Sequence, residues 1–223
     1  LVFQKSSEFE QAMERLEDSY TQNLSDGYKI GPRYAAGLHH FVRMGAKAPM
    51  AKGQITGPVT WGLAVKAQKQ RPILYDDTLA SAVAKHLRLK ASWQEQVLRA
   101  AYPHALMFVD EPYLGALGTA MLPLSRERIA ALLEEVLSGI RGLKGIHCCS
   151  DTDLAVPLHT SINIISVDSY SFGKTILRYA ADLKSFLSRG GFVAWGVVPA
   201  EMELLGMESE HSLYERWEEL LRE

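Results

Sequence analysis

At 223 residues, with hydrophobic side chains at 47% and charged ones at 22%, the chain has the makeup of a globular protein able to bury one substantial core. Lys+Arg 24 against Asp+Glu 26 leaves a formal net charge of -2, which excludes the basic footprint of a nucleic-acid binder. No apolar run approaches the roughly 20 residues that cross a bilayer, the first five residues lack the regions of a signal peptide, and two adjacent cysteines make no disulfide framework, so a cytoplasmic setting is expected.

In chain order, the first pattern is helical. Phe9, Ala12, Met13, Leu16 and Tyr20 recur at three- and four-residue spacing behind a possible cap at Ser6 or Ser7, which predicts a helix over 8–23. A second helix is expected over 32–44. Residues 51–55 read as a strand, with Gly57-Pro58 marking a tight turn after it. The longest helix is expected over 76–101, opened by Asp76 and Asp77 at its positive end and stopped near Pro103. Residues 105–109 are a short, wholly apolar run, the pattern of a strand buried on both faces. A helix from Ser125 to about 140 follows, then a strand through Gly145-Ile146 into His147, and another over 163–167. A helix over 174–188 ends at Gly190-Gly191, residues 191–197 form the fifth strand, and a helix over 211–222 closes the chain. Strands alternating with helices long enough to cross over imply parallel pairing, hence an α/β domain, with no linker or repeat dividing it.

Ligands bind at the carboxyl ends of parallel strands. The polar residues expected there are Gln54 and Thr56, Asp110 and Glu111, His147 and Cys149, and Asp168, with Thr60 close by. Strand alternation puts His147 and Cys149 on one face and Cys148 on the other, facing the helices. An imidazole and a thiolate on one face suit zinc, although a buried cysteine or a satisfied structural histidine is the plainer reading. Asp110 and Glu111 either cap the next turn or hold the ammonium of an amino-acid-like substrate. Asp168 either caps the loop at Ser169-Tyr170 or offers an oxygen to a metal. Charged stretches such as Glu215-Arg-Trp-Glu-Glu219 read as solvated helix faces.

Four motifs in order, Gly53-Gln-Ile-Thr-Gly-Pro-Val59, Val109-Asp-Glu-Pro-Tyr113, Gly145-Ile-His-Cys-Cys149 and Ile165-Ser-Val-Asp168, resemble the catalytic barrel of cobalamin-independent methionine synthase. That superfamily also contains uroporphyrinogen decarboxylase. The resemblance runs from about residue 52 to 199 and implies a (β/α)8 TIM barrel, single over 1–223. Five to six of its strands are expected in this chain, with terminal strands missing. It also implies a zinc-dependent methyltransferase that converts homocysteine to methionine, with methyl-folate or methyl-corrinoid as the donor. In that family's scheme His147, Cys149 and Asp168 would be zinc ligands, and Asp110, with Glu111 beside it, would hold the amino acid. No cysteine follows Cys149, so the family's last zinc ligand has no match, and zinc is expected to be absent or incompletely coordinated. Trp61 lies nearer the Gly-Pro-Val-Thr run than the family's folate-stacking indole, so it is not assigned that role. An open flank could pair with a second copy, making a homo-oligomer possible. A non-catalytic barrel that binds a small molecule or partner is the alternative. A decarboxylase ranks lowest, because Arg33, Arg43 and Arg71 miss the strand ends.

Overall fold

The computed structural model describes residues 6–67 and 70–222. Its centre is one parallel sheet of five strands, β1 (Met50–Thr56), β2 (His104–Asp110), β3 (Leu143–Cys148), β4 (Ile164–Val167) and β5 (Phe192–Trp195), in the spatial order β1-β2-β3-β4-β5. All five segments expected to be strands are present, and the unit is α/β.

Register decides what each face carries. Ile55 pairs with Val109, Val109 with Ile146, Ile146 with Ile165, and Ile165 with Val193. Side chains alternate along a strand, so this apolar row faces one way, with Ala51, Met107, Cys148 and Val167 on the same side. These residues join the helices in one buried core. The longest helix, α4 (Asp77–Arg99), lies against β1 and β2, with α5 (Arg126–Leu137) beside it. Gly53 makes the close approach of α4 possible: a Cβ there would stand 2.7 Å from both a Leu98 methyl and the Met107 sulfur. At the amino end, α1 (Ser7–Thr21) packs on α4, and α2 (Ala36–Met44) stops at Gly45, whose φ of 61° is left-handed.

The helices begin where short polar side chains take up orphan N–H groups. Ser6 accepts from the Phe9 amide at 3.2 Å, Asp76 from Leu79 at 3.1 Å and Ser125 from Arg128 at 3.2 Å. Glu95, in mid α4, is 2% exposed rather than solvated. Its carboxylate accepts the Arg141 and Gly142 amides at 2.9 and 2.5 Å, fixing the approach to β3.

Two expectations are corrected. Gly57-Pro58 is not a free-standing turn: Gly57 caps and Pro58 opens a seven-residue helix, α3 (Pro58–Ala64), because proline suits the first helical position. The helix expected over 174–188 is divided into a 3-10 stretch (Gly173–Tyr179) and α8 (Ala180–Ser188). Gly173 sits where a Cβ would meet a Leu220 methyl at 2.7 Å on α10 (Glu210–Arg222). Short helices α6 (Ala155–Leu158), α7 (Ser169–Phe172) and α9 (Met202–Leu205) had no sequence signal long enough to read. Among the described residues, no helix is long and apolar enough to cross a membrane.

Leu98 is fully buried between α4 and β1. Its truncation to alanine leaves a void beside Gly53 and is expected to cost about 2–5 kcal/mol, measured as a shift in the urea unfolding curve with an unchanged slope.

Candidate functional site

On the face away from the helices, the carboxyl ends of four neighbouring strands carry a row of polar side chains. Thr56 pairs with Asp110, Asp110 with His147, and His147 with Ser166. Adjacent strands stand about 4.8 Å apart, so the parallel register alone puts a carboxylate, an imidazole and a hydroxyl shoulder to shoulder. Ser166 Oγ lies 3.0 Å from His147 Nδ1, a bond that fixes the ring's orientation and leaves Nε2 for other partners. Gln54, one pleat lower, donates through Nε2 to Asp110 Oδ2 at 2.9 Å, and its Oε1 accepts from Lys52 Nζ at 2.7 Å. The result is a continuous polar chain from Lys52 to Asp110.

Asp110 is half-buried, and burial raises its carboxyl above the ordinary range, with His147 and Lys52 pulling the other way. An incoming cation would find there a desolvated carboxylate, the environment in which an ion pair gains most. Beneath the row lies Phe108, 4% exposed, with Lys52 Nζ 4.9 Å from its ring centre. Its ring fits because residue 145 is glycine: a Cβ there would come within 2.3 Å of a ring carbon.

Glu111 does not join the row. It is fully buried, and its carboxylate accepts from the Val59 amide at 2.9 Å, the Thr60 amide at 2.8 Å and the Thr60 hydroxyl at 2.7 Å. It therefore closes the amino end of α3, clamping the end of β2 to the turn after β1. With both oxygens so engaged, it is not free for the substrate-binding role expected of it beside Asp110. Thr60, also named as a possible ligand contact, is buried in the same clamp, and Gly57 is required there because a Cβ would lie 2.2 Å from Glu111 Oε1. Trp61 packs against the core.

The three expected zinc ligands hold different places in the structure. His147 sits in the rim row, Cys149 is exposed one residue beyond the end of β3, and Asp168 accepts the Ser171 amide at 3.0 Å as the cap of α7. Asp168 thus takes the capping role of its two sequence readings. Among the described residues, no three His, Cys, Asp or Glu side chains gather closely enough to hold a metal ion. His147 and Cys149 supply two donors, short of the three protein ligands of a catalytic zinc, so the residues do not fit the implied shell. Cys148 faces the helices, 1% exposed, and burial beside Glu111 holds its thiol far above the usual range.

Sequence reasoning missed Lys52 and Ser166. Ser166 was legible in principle, since it alternates with Asp168 in Ile165-Ser-Val-Asp168 and so belongs to the ligand-facing side. Lys52 shares that signal, alternating with Gln54 and Thr56 along β1, but its link to Asp110 through Gln54 is set by side-chain geometry. No protein-family model matches the chain, and no curated protein matches it.

Two outcomes are expected. Burial lifts the Glu111 carboxyl to about 7, against the hydrogen bonds from Thr60 and Val59. Its unfolded value is near 4.3, roughly, so the fold favours the neutral acid. The stability this contributes is complete below about pH 4 and is lost as pH rises through 7. Wild type should therefore lose on the order of 3 kcal/mol between pH 4 and 8 relative to Glu111→Gln, read from paired urea titrations. Iodoacetamide on the native protein should modify Cys149 alone, with Cys148 alkylated only after unfolding, as peptide mass spectrometry would show.

Proposed function

We propose that this chain carries the substrate rim of a (β/α)-barrel methyltransferase whose acceptor is a small amino thiol of the homocysteine kind. The carrying observation is the rim row: Thr56, Asp110, His147 and Ser166 occupy one level on four consecutive parallel strands. The barrel reading is supported by the winding. Strand order follows chain order without reversal, and the core helices cover one face. A doubly wound sheet reverses its order at a switch point, whereas a barrel does not.

In this reading Asp110 binds the substrate ammonium through a charge-assisted hydrogen bond, and Gln54 holds the carboxylate in place. His147, oriented by Ser166, accepts the thiol proton at Nε2. The sulfur, freed of its proton, attacks the methyl carbon of the donor; the S–C bond forms as the bond from methyl to donor breaks. Methyl-folate and methyl-corrinoid are the donor classes that the motif resemblance implies. Each role is assigned to this chain's own side chains because the donors present do not complete a zinc shell.

A second reading, binding without transfer, is favoured by Asp168, whose Oδ1 is engaged in capping α7. Calorimetry and methyl-transfer assays separate the two. Homocysteine should bind, 4-mercaptobutyrate should bind at least about tenfold more weakly for want of the ammonium, and Asp110→Asn should weaken homocysteine by a similar factor. His147→Ala should retain binding and lose transfer of a labelled methyl group. Binding in wild type with no transfer from either donor class, zinc supplied or withheld, would leave the binding reading standing. No heat with homocysteine up to about 10 mM would end both.

A further inference from the structure

Among the described helices longer than two turns, α2 and α10 alone bury no side chain. They belong to opposite ends of the sheet. α2 leads into the edge strand β1, whereas α9 and α10 follow the other edge strand, β5.

Both helices keep apolar side chains uncovered. On α2, Leu38 and Val42 pack against the core and Phe41 stacks on Tyr102. Met44 is more than half exposed, as is Tyr34 just before the helix. On α10, Leu220 meets Gly173, while Tyr214 and Leu221, two turns apart on one stripe, are more than half exposed. Met202 on α9 and Met207 after it are more exposed still. Apolar side chains gathered on helices that bury nothing of their own mark a place where a partner sits.

Charge says which partner. Residues 27–75, which include α2, contain no Asp or Glu, and Arg33, Arg43 and Lys47 are exposed there. Residues 201–222, which include α9 and α10, carry seven Glu against two Arg, with no Asp or Lys. Among the described residues, Arg43, Lys47, Glu203 and Glu210 make no ion pair. One molecule thus offers a basic apolar surface at one end and an acidic apolar surface at the other. Set at opposite edges of the sheet, they do not cover each other within one copy, and each complements the other on a neighbour.

We propose that α9 and α10 of one copy dock on α2 of a second copy, acid to base around an apolar centre. The contact is heterologous, because each copy gives one surface and receives on the other, so successive copies close a ring or extend. Neither Asp110 nor His147 takes part, which makes the contact independent of methyl transfer at the rim.

The test is sedimentation of the full chain over about 10 to 500 µM. Wild type should associate within that range, and raising salt from about 50 to 500 mM should weaken association at least about threefold. Arg43→Glu with Lys47→Glu spoils the basic surface, and Glu203→Lys with Glu210→Lys spoils the acidic one. Each double variant alone should associate about tenfold more weakly or worse. Mixed in equal amounts, the intact α10 of the first meets the intact α2 of the second, and a one-to-one complex should return at wild-type affinity within about threefold. All four side chains are exposed, so the reversals spare the core. Met44→Gln, which touches no charge, should weaken wild-type association by about threefold or more. The proposal is overturned if wild type stays monomeric at about 500 µM, if either double variant associates as well as wild type, if mixing recovers nothing, or if Met44→Gln changes nothing.

Discussion

Parallel register is the constraint on which everything else in this molecule rests. Each strand pairs with the next so that equivalent positions align, and the alternation of side chains then sorts them into two sets. One set, from Ile55 to Val193, is apolar and joins the helices. The other brings Asp110 beside His147 and His147 beside Ser166. A slip of one residue in β3 would send His147 into the core and Cys148 to the rim, exchanging a hydrogen-bonded imidazole for a neutral thiol.

Buried carboxylates hold that register against the helices. Glu111 ties the end of β2 to the start of α3, and Glu95 ties α4 to the approach to β3. Both accept hydrogen bonds from backbone N–H groups that would otherwise be orphaned, which is why acids can stand in so apolar a place. Asp110, one residue before Glu111, keeps a face toward the rim. Two neighbouring carboxylates thus receive opposite duties from strand alternation alone: one closes a helix, the other remains available to a ligand.

Much of this was legible from the residues. β2 announces itself as an apolar run, whereas β1, covered on one face, alternates Ala51, Gly53 and Ile55 with Lys52, Gln54 and Thr56. Rim position follows from where such segments stop, which is how Asp110 and His147 could be picked out. What escaped depends on distance. The cap on α3 comes from Glu111, 51 residues beyond Thr60, and a seven-residue helix opened by Gly-Pro looks locally like a turn. Glu95 binds amides 46 and 47 residues downstream, so its burial has no local signature. The 3-10 stretch before α8 opens at Gly173, where Leu220 packs too close for a Cβ, a contact with no local signature. Asp168 carried both a capping and a liganding possibility; only the three-dimensional arrangement of the Ser171 amide distinguishes them.

Gly145 shapes more than its own strand. By making room for the Phe108 ring to lie across β3, it lays a hard floor one pleat below Asp110 and His147, roofed on its other side by the Lys52 ammonium. At 4% exposure the ring fills the space beneath those rim side chains and leaves no path deeper into the sheet. Depth below Asp110 and His147 is therefore set at a single layer of side chains, by a residue with no side chain of its own.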